Sequence, residues 1–217
     1  MCARAKQTRR IGWIGLGTMG LPMALRLADK SGCAVYGCDI VPAAMDAFAS
    51  MGGIPEPDSA ALLENSDVVF LSLPGNALVQ ETLTDAVRRC RRGTVVVDTS
   101  SSLPAVIQSC AAQAAVRGVE LIDCPVSGGA EAAAEGRLSA MCGGSETALA
   151  RVSPLLACFA ARVTHMGSLG SGYAAKLINN LIVGGEITLI AEALGLARKA
   201  GLDMARLLVA RYGAAAG

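Results

Sequence analysis

A glycine-rich turn near the start of the chain constrains the fold more than any other feature. It reads Gly15-Leu16-Gly17-Thr18-Met19-Gly20 and joins the apolar run Arg10–Ile14 to a leucine- and alanine-rich stretch. Gly15 allows a tight turn, Gly17 lets the backbone approach a diphosphate, and Gly20 lets helix and strand pack closely. The free N–H groups and dipole of the following helix favour an anion at the same place. The pattern predicts a strand, a phosphate-binding turn and a helix.

An acid at the end of the second apolar run strengthens this interpretation. Asp39 ends the run Ala34–Asp39, where a carboxylate can accept hydrogen bonds from the hydroxyls of an adenosine ribose. The same charge repels a 2′-phosphate, so NAD is predicted in preference to NADP. A glycine turn alone can be purely structural, and Asp39 can be a turn residue ahead of Pro42. Together the two features favour dinucleotide binding.

Short apolar runs alternate with helical stretches over the first three quarters of the chain. Beyond the first two, the predicted strands are Asp67–Leu73, Thr94–Asp98, Val119–Cys124, Leu138–Cys142 and Arg162–His165. Helices are predicted to begin near Thr18, Pro42, Ser59, Asn76, Pro104 and Glu146. Because the runs are almost continuously apolar and alternate with helices, they predict an α/β fold with a doubly wound, Rossmann-type parallel sheet.

The pattern changes after Gly172. A helix is predicted from Tyr173 to about Lys199, long enough to leave one domain and reach another. Gly201 should end it, and Asp203 should cap a short final helix. We therefore predict a dinucleotide-binding domain in residues 1–168 and an interdomain helix with the start of an incomplete all-helical domain in residues 169–217. The apolar long helix is expected to form a homodimer contact.

The composition argues against several other classes of protein. Hydrophobic residues make up 53% of the 217 residues and charged ones 17%, which excludes intrinsic disorder. Uncharged runs outside the glycine-rich motifs are far shorter than the ~20 residues of a membrane-spanning helix. A net charge of +1 favours neither a nucleic acid nor a membrane partner.

The cysteines have a pattern that favours a structural role. The eight cysteines are scattered, with no CxxC pair and no neighbouring histidines. This predicts reduced, buried thiols in a cytoplasmic protein and no metal site.

Arg88, Arg89, Arg91 and Arg92 form a basic cluster at a predicted helix C-terminus. Because cations complement the helix dipole there, a solvated helix end is expected.

A second candidate site combines a glycine turn with a lysine. The segment Asp123–Gly129 ends a strand in Ser127-Gly128-Gly129, whose N–H groups and hydroxyl suit a carboxylate; a plain connecting loop has the same pattern. Lys176 and Asn180 share one face of the long helix. A buried lysine can exchange a proton near neutral pH, although a lysine that reaches from the helix flank to water is the alternative.

With these residues in place, the sequence resembles the β-hydroxyacid dehydrogenase family. The motifs GLGTMGLPM, CDIVP, LSLP, DTSSSLP, DCPVSGG and GSGYAAKLINN occur in the family's order from Arg10 to the end. The resemblance implies an NAD-dependent oxidoreductase that interconverts a small β-hydroxyacid and its semialdehyde or ketone. 6-Phosphogluconate dehydrogenases share the NAD-binding pattern but carry a histidine where Asn179 stands.

The resemblance also implies roles for individual residues. Lys176 matches the catalytic lysine, and the substrate-binding positions are Ser127, Gly128, Gly129 and Asn180. The cofactor-binding positions are Gly15, Leu16, Gly17, Met19, Gly20, Asp39, Leu73, Pro74 and Ser101. Ser101 stands where the family usually has a threonine, so the hydroxyl is kept. Because family members usually continue with more helices, a truncated, non-catalytic dinucleotide-binding or assembly module stays open as the alternative.

Overall fold

A mixed β-sheet with helices on its faces is described by the computed structural model, which covers residues 9–213. The strands are β1 (Arg10–Ile14), β2 (Ala34–Cys38), β3 (Ile54–Pro55), β4 (Val68–Leu71), β5 (Val95–Asp98), β6 (Glu120–Asp123), β7 (Val126–Ser127), β8 (Leu138–Gly144) and β9 (Ala160–Gly167). The helices are α1 (Gly20–Lys30), α2 (Pro42–Ser50), α3 (Ser59–Asn65), α4 (Asn76–Arg89), α5 (Pro104–Arg117), α6 (Gly129–Glu135), α7 (Glu146–Leu156), α8 (Ser171–Lys199) and α9 (Met204–Tyr212).

The first six strands form the predicted Rossmann-type sheet. They are all parallel, in the order β3-β2-β1-β4-β5-β6, which is the order of a doubly wound dinucleotide-binding fold. The register aligns Ile14, Cys38, Leu71, Asp98 and Asp123 in one row. The carboxyl ends of five strands therefore meet at one edge of the sheet, where ligands bind in this architecture.

The last part of the sheet corrects the expectation of uniformly parallel strands. β8 runs antiparallel to β6 and to β7, and only β9 pairs with it in parallel. A parallel crossover needs about a dozen residues or more, and residues 128–137, which contain α6, are too few for one. The two-residue strands β3 and β7 and the short helix α6 were not predicted.

Two apolar clusters fill the space between the sheet and its helices. In one, Trp13 stacks on Phe70 with ring centroids 5.0 Å apart, and Phe159 packs edge-on against both rings. The other contains Leu71 from β4 and Tyr173 from α8. Because alternate residues of β4 and β5 point to opposite faces, both faces of the sheet are buried, as the continuous apolar runs predict.

The cysteines largely follow the prediction. The seven within the described residues are free thiols, and all except the half-buried Cys33 are buried; Cys2 lies outside the described residues. Burial raises the pKa of Cys90 to about 12, and the Sγ atoms of Cys124 and Cys142 are 3.1 Å apart. These thiols behave as small apolar groups in the packing.

The long helix α8 begins at Ser171, and the structure confirms the signals that follow it. Gly201 adopts a left-handed φ of 71°, and the Asp203 carboxylate accepts the N–H groups of Ala205 and Arg206 at the start of α9. By length and composition alone, α8 could cross a membrane. The chain divides into two compact units within this helix, the first ending at Lys176 and the second beginning at Leu177.

Candidate dinucleotide and substrate sites

The glycine-rich loop has the geometry that its sequence predicts. Gly15 has a φ of 95°, and a Cβ atom there would clash with the carbonyl oxygen of Ser72. A Cβ atom on Gly20 would clash with the carbonyl oxygen of Gly15, whereas one on Gly17 would meet no atom within 4 Å. Gly15 and Gly20 are thus required by the protein's own packing, and Gly17 leaves open space for a ligand.

The N-terminus of α1 is open to an anion. The helix begins at Gly20 rather than at the predicted Thr18, and its N-cap, Met19, makes no side-chain capping bond. The first turn contains no acidic residue, and Gly17 and Thr18 are exposed. Backbone N–H groups without a capping side chain, next to Gly17, suit a diphosphate. The residues present therefore fit the dinucleotide that the sequence implies.

Asp39 combines the two interpretations that the sequence left open. One carboxylate oxygen accepts the N–H of Leu16 at 2.6 Å, and the other accepts the N–H of Val41 at 2.8 Å. The second bond makes the local turn ahead of α2, while the first ties β2 to the glycine-rich loop. Because Asp39 remains half-buried on the wall of a large cavity, its carboxylate keeps lone pairs that could accept hydrogen bonds from a ligand.

That cavity has a volume of about 1110 Å³ and connects the predicted adenosine-binding residues. The glycine-rich loop, Asp39, Leu73, Pro74 and one face of α4 line it. The N–H of Leu73 donates to the hydroxyl of Ser100 at 2.8 Å, a contact that the sequence did not reveal. Ser101 is exposed beside Ser100 at the end of β5, so its hydroxyl is free to meet a ligand.

The predicted carboxylate-binding turn lies at the start of α6. Ser127 is half-buried at the end of β7, and Gly128 and Gly129 are exposed. Gly128 has a φ of 136° and Gly129 a φ of 79°, conformations that favour glycine. The turn therefore has the backbone that the sequence pattern requires, and its two glycines face solvent.

Asp123 joins this segment to the helix that carries the lysine. Its carboxylate is fully buried and accepts the N–H groups of Gly170 at 2.7 Å and Tyr173 at 2.8 Å. A Cβ atom on Gly143 would lie 2.5 Å from the carboxylate, so the bare glycine makes room for it. Burial raises the pKa of Asp123, although backbone N–H donors act in the opposite direction. The acid holds the first turn of α8 against the sheet.

A second buried acid holds the same turn through a tyrosine. The hydroxyl of Tyr173 donates to the carboxylate of Asp98, whose other oxygen accepts the N–H of Ser100 at 2.9 Å. Burial raises the pKa of Asp98, and burial beside that acid raises the pKa of Tyr173. Sequence reasoning missed Asp98, Asp123 and Tyr173, although an acid ending two apolar runs, VVVD and LID, was a visible signal.

Lys176 follows Tyr173 by one helical turn. Its side chain is half-buried, and burial lowers its pKa. Among the described residues no carboxylate lies within 4.0 Å of its amino group, so the lowered pKa is not offset by an ion pair. Asn179 is half-buried and Asn180 is exposed on the part of α8 in the second unit; a substrate contact from Asn180 stays a prediction.

Two sequence families match successive parts of the chain. One, described as the NAD binding domain of 6-phosphogluconate dehydrogenase, covers residues 10–167. The other, described as "NAD-binding of NADP-dependent 3-hydroxyisobutyrate dehydrogenase", covers residues 170–217. Residues 9–213 contain no group of three or more His, Cys, Asp and Glu side chains arranged to hold a metal ion.

Individual relatives agree with these matches. The chain is 37% identical to 2-(hydroxymethyl)glutarate dehydrogenase of Eubacterium barkeri, over 89% of this chain and 65% of that protein. It is 36% identical to the mitochondrial 3-hydroxyisobutyrate dehydrogenase of Drosophila melanogaster, over 90% of this chain and 60% of that protein. The chain thus spans less than two thirds of the length of both relatives.

A solved structure gives the same result at the level of the fold. The 3-hydroxyisobutyrate dehydrogenase of Mycobacterium tuberculosis, solved with L-serine, matches with a TM-score of 0.89 and 34% identity. The match covers 95% of this chain and 71% of that one. The glycine-rich loop, the acid after β2 and the lysine of α8 thus lie within a fold shared with that dehydrogenase.

Proposed function

The chain belongs to the β-hydroxyacid dehydrogenase family, and from this premise we propose that it transfers a hydride between a small β-hydroxyacid and NAD. The product is the corresponding semialdehyde or ketone, and Lys176 is the general acid and base. One observation carries the proposal: buried carboxylates anchor the first turn of α8, and the next turn presents a lysine with a lowered pKa that pairs with no carboxylate among the described residues.

The residues that would hold the dinucleotide lie along one cavity. The diphosphate fits the open space at Gly17 and the uncapped start of α1, and the ribose hydroxyls fit the Asp39 carboxylate. The charge of Asp39 opposes a 2′-phosphate, which supports NAD over NADP. When bound, NAD supplies the hydride acceptor at its nicotinamide ring.

The protein's own part of the reaction is positioning and proton transfer. In this proposal the hydroxyl of Ser127 and the backbone at Gly128 and Gly129 hold the substrate carboxylate. Lys176 accepts the substrate hydroxyl proton at Nζ during oxidation and returns it during reduction. Asn180 orients that hydroxyl, a role supported by the family motif. The Mycobacterium tuberculosis relative was solved with L-serine, which carries a hydroxyl on the carbon β to its carboxylate and thus supports this substrate class.

The proposal is tested by titrating the purified chain with NADH and assaying it with a panel of short β-hydroxyacids and NAD. Saturable NADH binding together with turnover of a β-hydroxyacid is the expected result. Binding without turnover of any acid would support the alternative, a non-catalytic dinucleotide-binding or assembly module. Absence of NADH binding would contradict the dehydrogenase and a dinucleotide-binding module, and would leave only an assembly module.

We further propose that the second unit forms a homodimer through α8 and that the protein works in the cytoplasm without a membrane or nucleic acid partner. In α8, Leu181, Ile187 and Leu189 are each more than half exposed, and side chains of this kind are normally covered. Glu186 and Glu192 interrupt the apolar surface and oppose burial in lipid. A monomeric mass in solution at micromolar concentration would contradict the dimer.

A further inference from the structure

A second cavity, lined by charged side chains, lies at the edge of the sheet opposite the glycine-rich loop. It has a volume of about 560 Å³ and is found at the amino ends of β1, β4 and β5. Arg91 and Arg92, which follow the end of α4, line it together with Arg9, Arg10 and Arg151. Among the described residues, Asp67 is the one acid that lines it.

The structure separates the basic cluster of the sequence into two parts. Arg88 and Arg89 lie in α4 and pair with Asp85, and Arg89 also contacts Glu64. Those two arginines lie in the last turn of α4 and are paired with acids at its surface, as expected for a solvated helix end. Arg91 and Arg92 lie beyond the helix and belong to the cavity.

Most of the charge in the cavity is not neutralised by the protein. Arg91 pairs with Asp67 at 3.1 Å, and Arg10 pairs with Glu56 at 3.3 Å. In the part of the chain that the structure describes, no carboxylate lies within 4.0 Å of the guanidinium groups of Arg9, Arg92 or Arg151. Arginine stays protonated at any physiological pH, so these three charges persist.

Two of these guanidinium groups are held in place by neutral partners. Arg9 donates to the carbonyl oxygen of Arg151 at 3.0 Å, and Arg151 donates to the carbonyl oxygen of Gly93 at 2.7 Å. A carbonyl oxygen fixes the direction of a guanidinium without cancelling its charge. Each guanidinium has five N–H donors, so donors remain for an incoming anion.

We propose that this cavity binds a small, multiply charged phosphate compound of nucleotide size. Guanidinium forks match the oxygens of phosphate in geometry and charge, and three uncompensated positive charges call for more than one negative charge on the ligand. The volume lies within the range of small-molecule sites. A net charge of only +1 for the whole chain disfavours nucleic acid as the source of the phosphates.

The test uses inorganic tripolyphosphate as the probe in isothermal titration calorimetry. Because the glycine-rich loop is itself an anion site, each titration is done with and without saturating NADH. The expected result is a saturable site that remains, with the same affinity, when NADH occupies the glycine-rich loop. Loss of the binding when NADH is added, or no saturable binding up to millimolar probe, would overturn the proposal.

Two variants assign the binding to the cavity. Arg92 makes no side-chain hydrogen bond within residues 9–213, so Arg92→Gln should fold normally and weaken binding by about tenfold. Arg137→Gln is the matched control, because Arg137 is exposed and pairs with Glu135 outside the cavity. Equal affinity in the wild type and Arg92→Gln would overturn the proposal, as would tighter, Arg92-dependent binding of a short DNA duplex than of tripolyphosphate.

Discussion

Asp39 and Asp123 each hold a backbone segment in place, in two different regions of the molecule, but only Asp39 also lines a cavity. Each lies at the carboxyl edge of the sheet, and each accepts two backbone N–H groups. Asp39 is half-buried on the wall of the large cavity, whereas Asp123 is fully buried. A carboxylate that still faces a cavity can hold the loop and bind a ligand, but an enclosed one can only position its neighbours.

The protein thus has a cofactor region around Asp39 and a lysine region around Asp123. If the two regions are independent, a substitution in the lysine region should leave NADH affinity unchanged, and a substitution in the cofactor region should leave the stability of the first turn of α8 unchanged. NADH affinity measures the first region, and turnover, together with the stability of the first turn of α8, measures the second.

The largest effect is expected from Lys176→Ala. Removing the proposed acid and base should lower turnover by at least ~10², while the Kd for NADH stays close to that of the wild type. Steady-state kinetics and NADH fluorescence titration measure the two quantities. Lys199→Ala, at the exposed end of α8, is the control. Turnover at the wild-type level in Lys176→Ala would remove this lysine from the mechanism.

The next effect is expected from Tyr173→Phe. The change leaves the buried Asp98 carboxylate without its phenol donor, which should lower the free energy of unfolding by about 1–3 kcal/mol. Urea denaturation followed by circular dichroism measures it. Tyr36→Phe is the control, because Tyr36 is half-buried and its hydroxyl makes no hydrogen bond within the described residues. Equal losses of stability in the two variants would contradict a special role for Tyr173.

A smaller effect is expected from Asp39→Asn. The change removes the charge that holds the N–H of Leu16 and that, in the proposed function, binds the ribose, so NADH affinity should fall by about tenfold. Selectivity against NADPH should fall with it, because the repulsion of the 2′-phosphate is lost. Fluorescence titration with both cofactors measures this, with the exposed Asp46→Asn as the control. Unchanged affinity for NADH would place the ribose elsewhere.

The smallest effect is the pH dependence of turnover. Burial lowers the pKa of Lys176, so the neutral amine, which accepts a proton, becomes populated below the usual range of a lysine. Oxidation of the hydroxyacid should therefore accelerate as pH rises through this pKa, and reduction of the semialdehyde should slow. Turnover measured in both directions across the pH range checks the sign. A change of the same sign in both directions would contradict the assignment.

The cofactor region was predictable because its determinants are close in sequence. A strand, a glycine turn and a helix follow one another within Arg10–Lys30, and the clashes at Gly15 and Gly20 arise within that segment and its neighbouring strand. The bond from Leu16 to Asp39 spans 23 residues, and the spacing of the two strands already implied the proximity of their ends.

The lysine region was predictable only in part. The sequence identified Lys176 by its rarity and its position, but not the groups that hold it. Tyr173 meets Asp98 across 75 residues and Asp123 across 50 residues. The antiparallel direction of β8, which places Gly143 beside Asp123, was also not visible in a pattern of apolar runs. Contacts of this range depend on how the strands are ordered.

By itself the sequence determined the periodicity of the strands and helices, the glycine positions of the loop and the chemical types at each strand end. These follow from local sterics and hydrogen bonding, which act over a few residues. Only the tertiary structure decided which carboxylates are enclosed and which face a cavity. It also brought arginines from β1, the end of α4 and α7 together at the opposite edge. Burial and charge proximity depend on the packed sheet, and they separate a binding carboxylate from a positioning one.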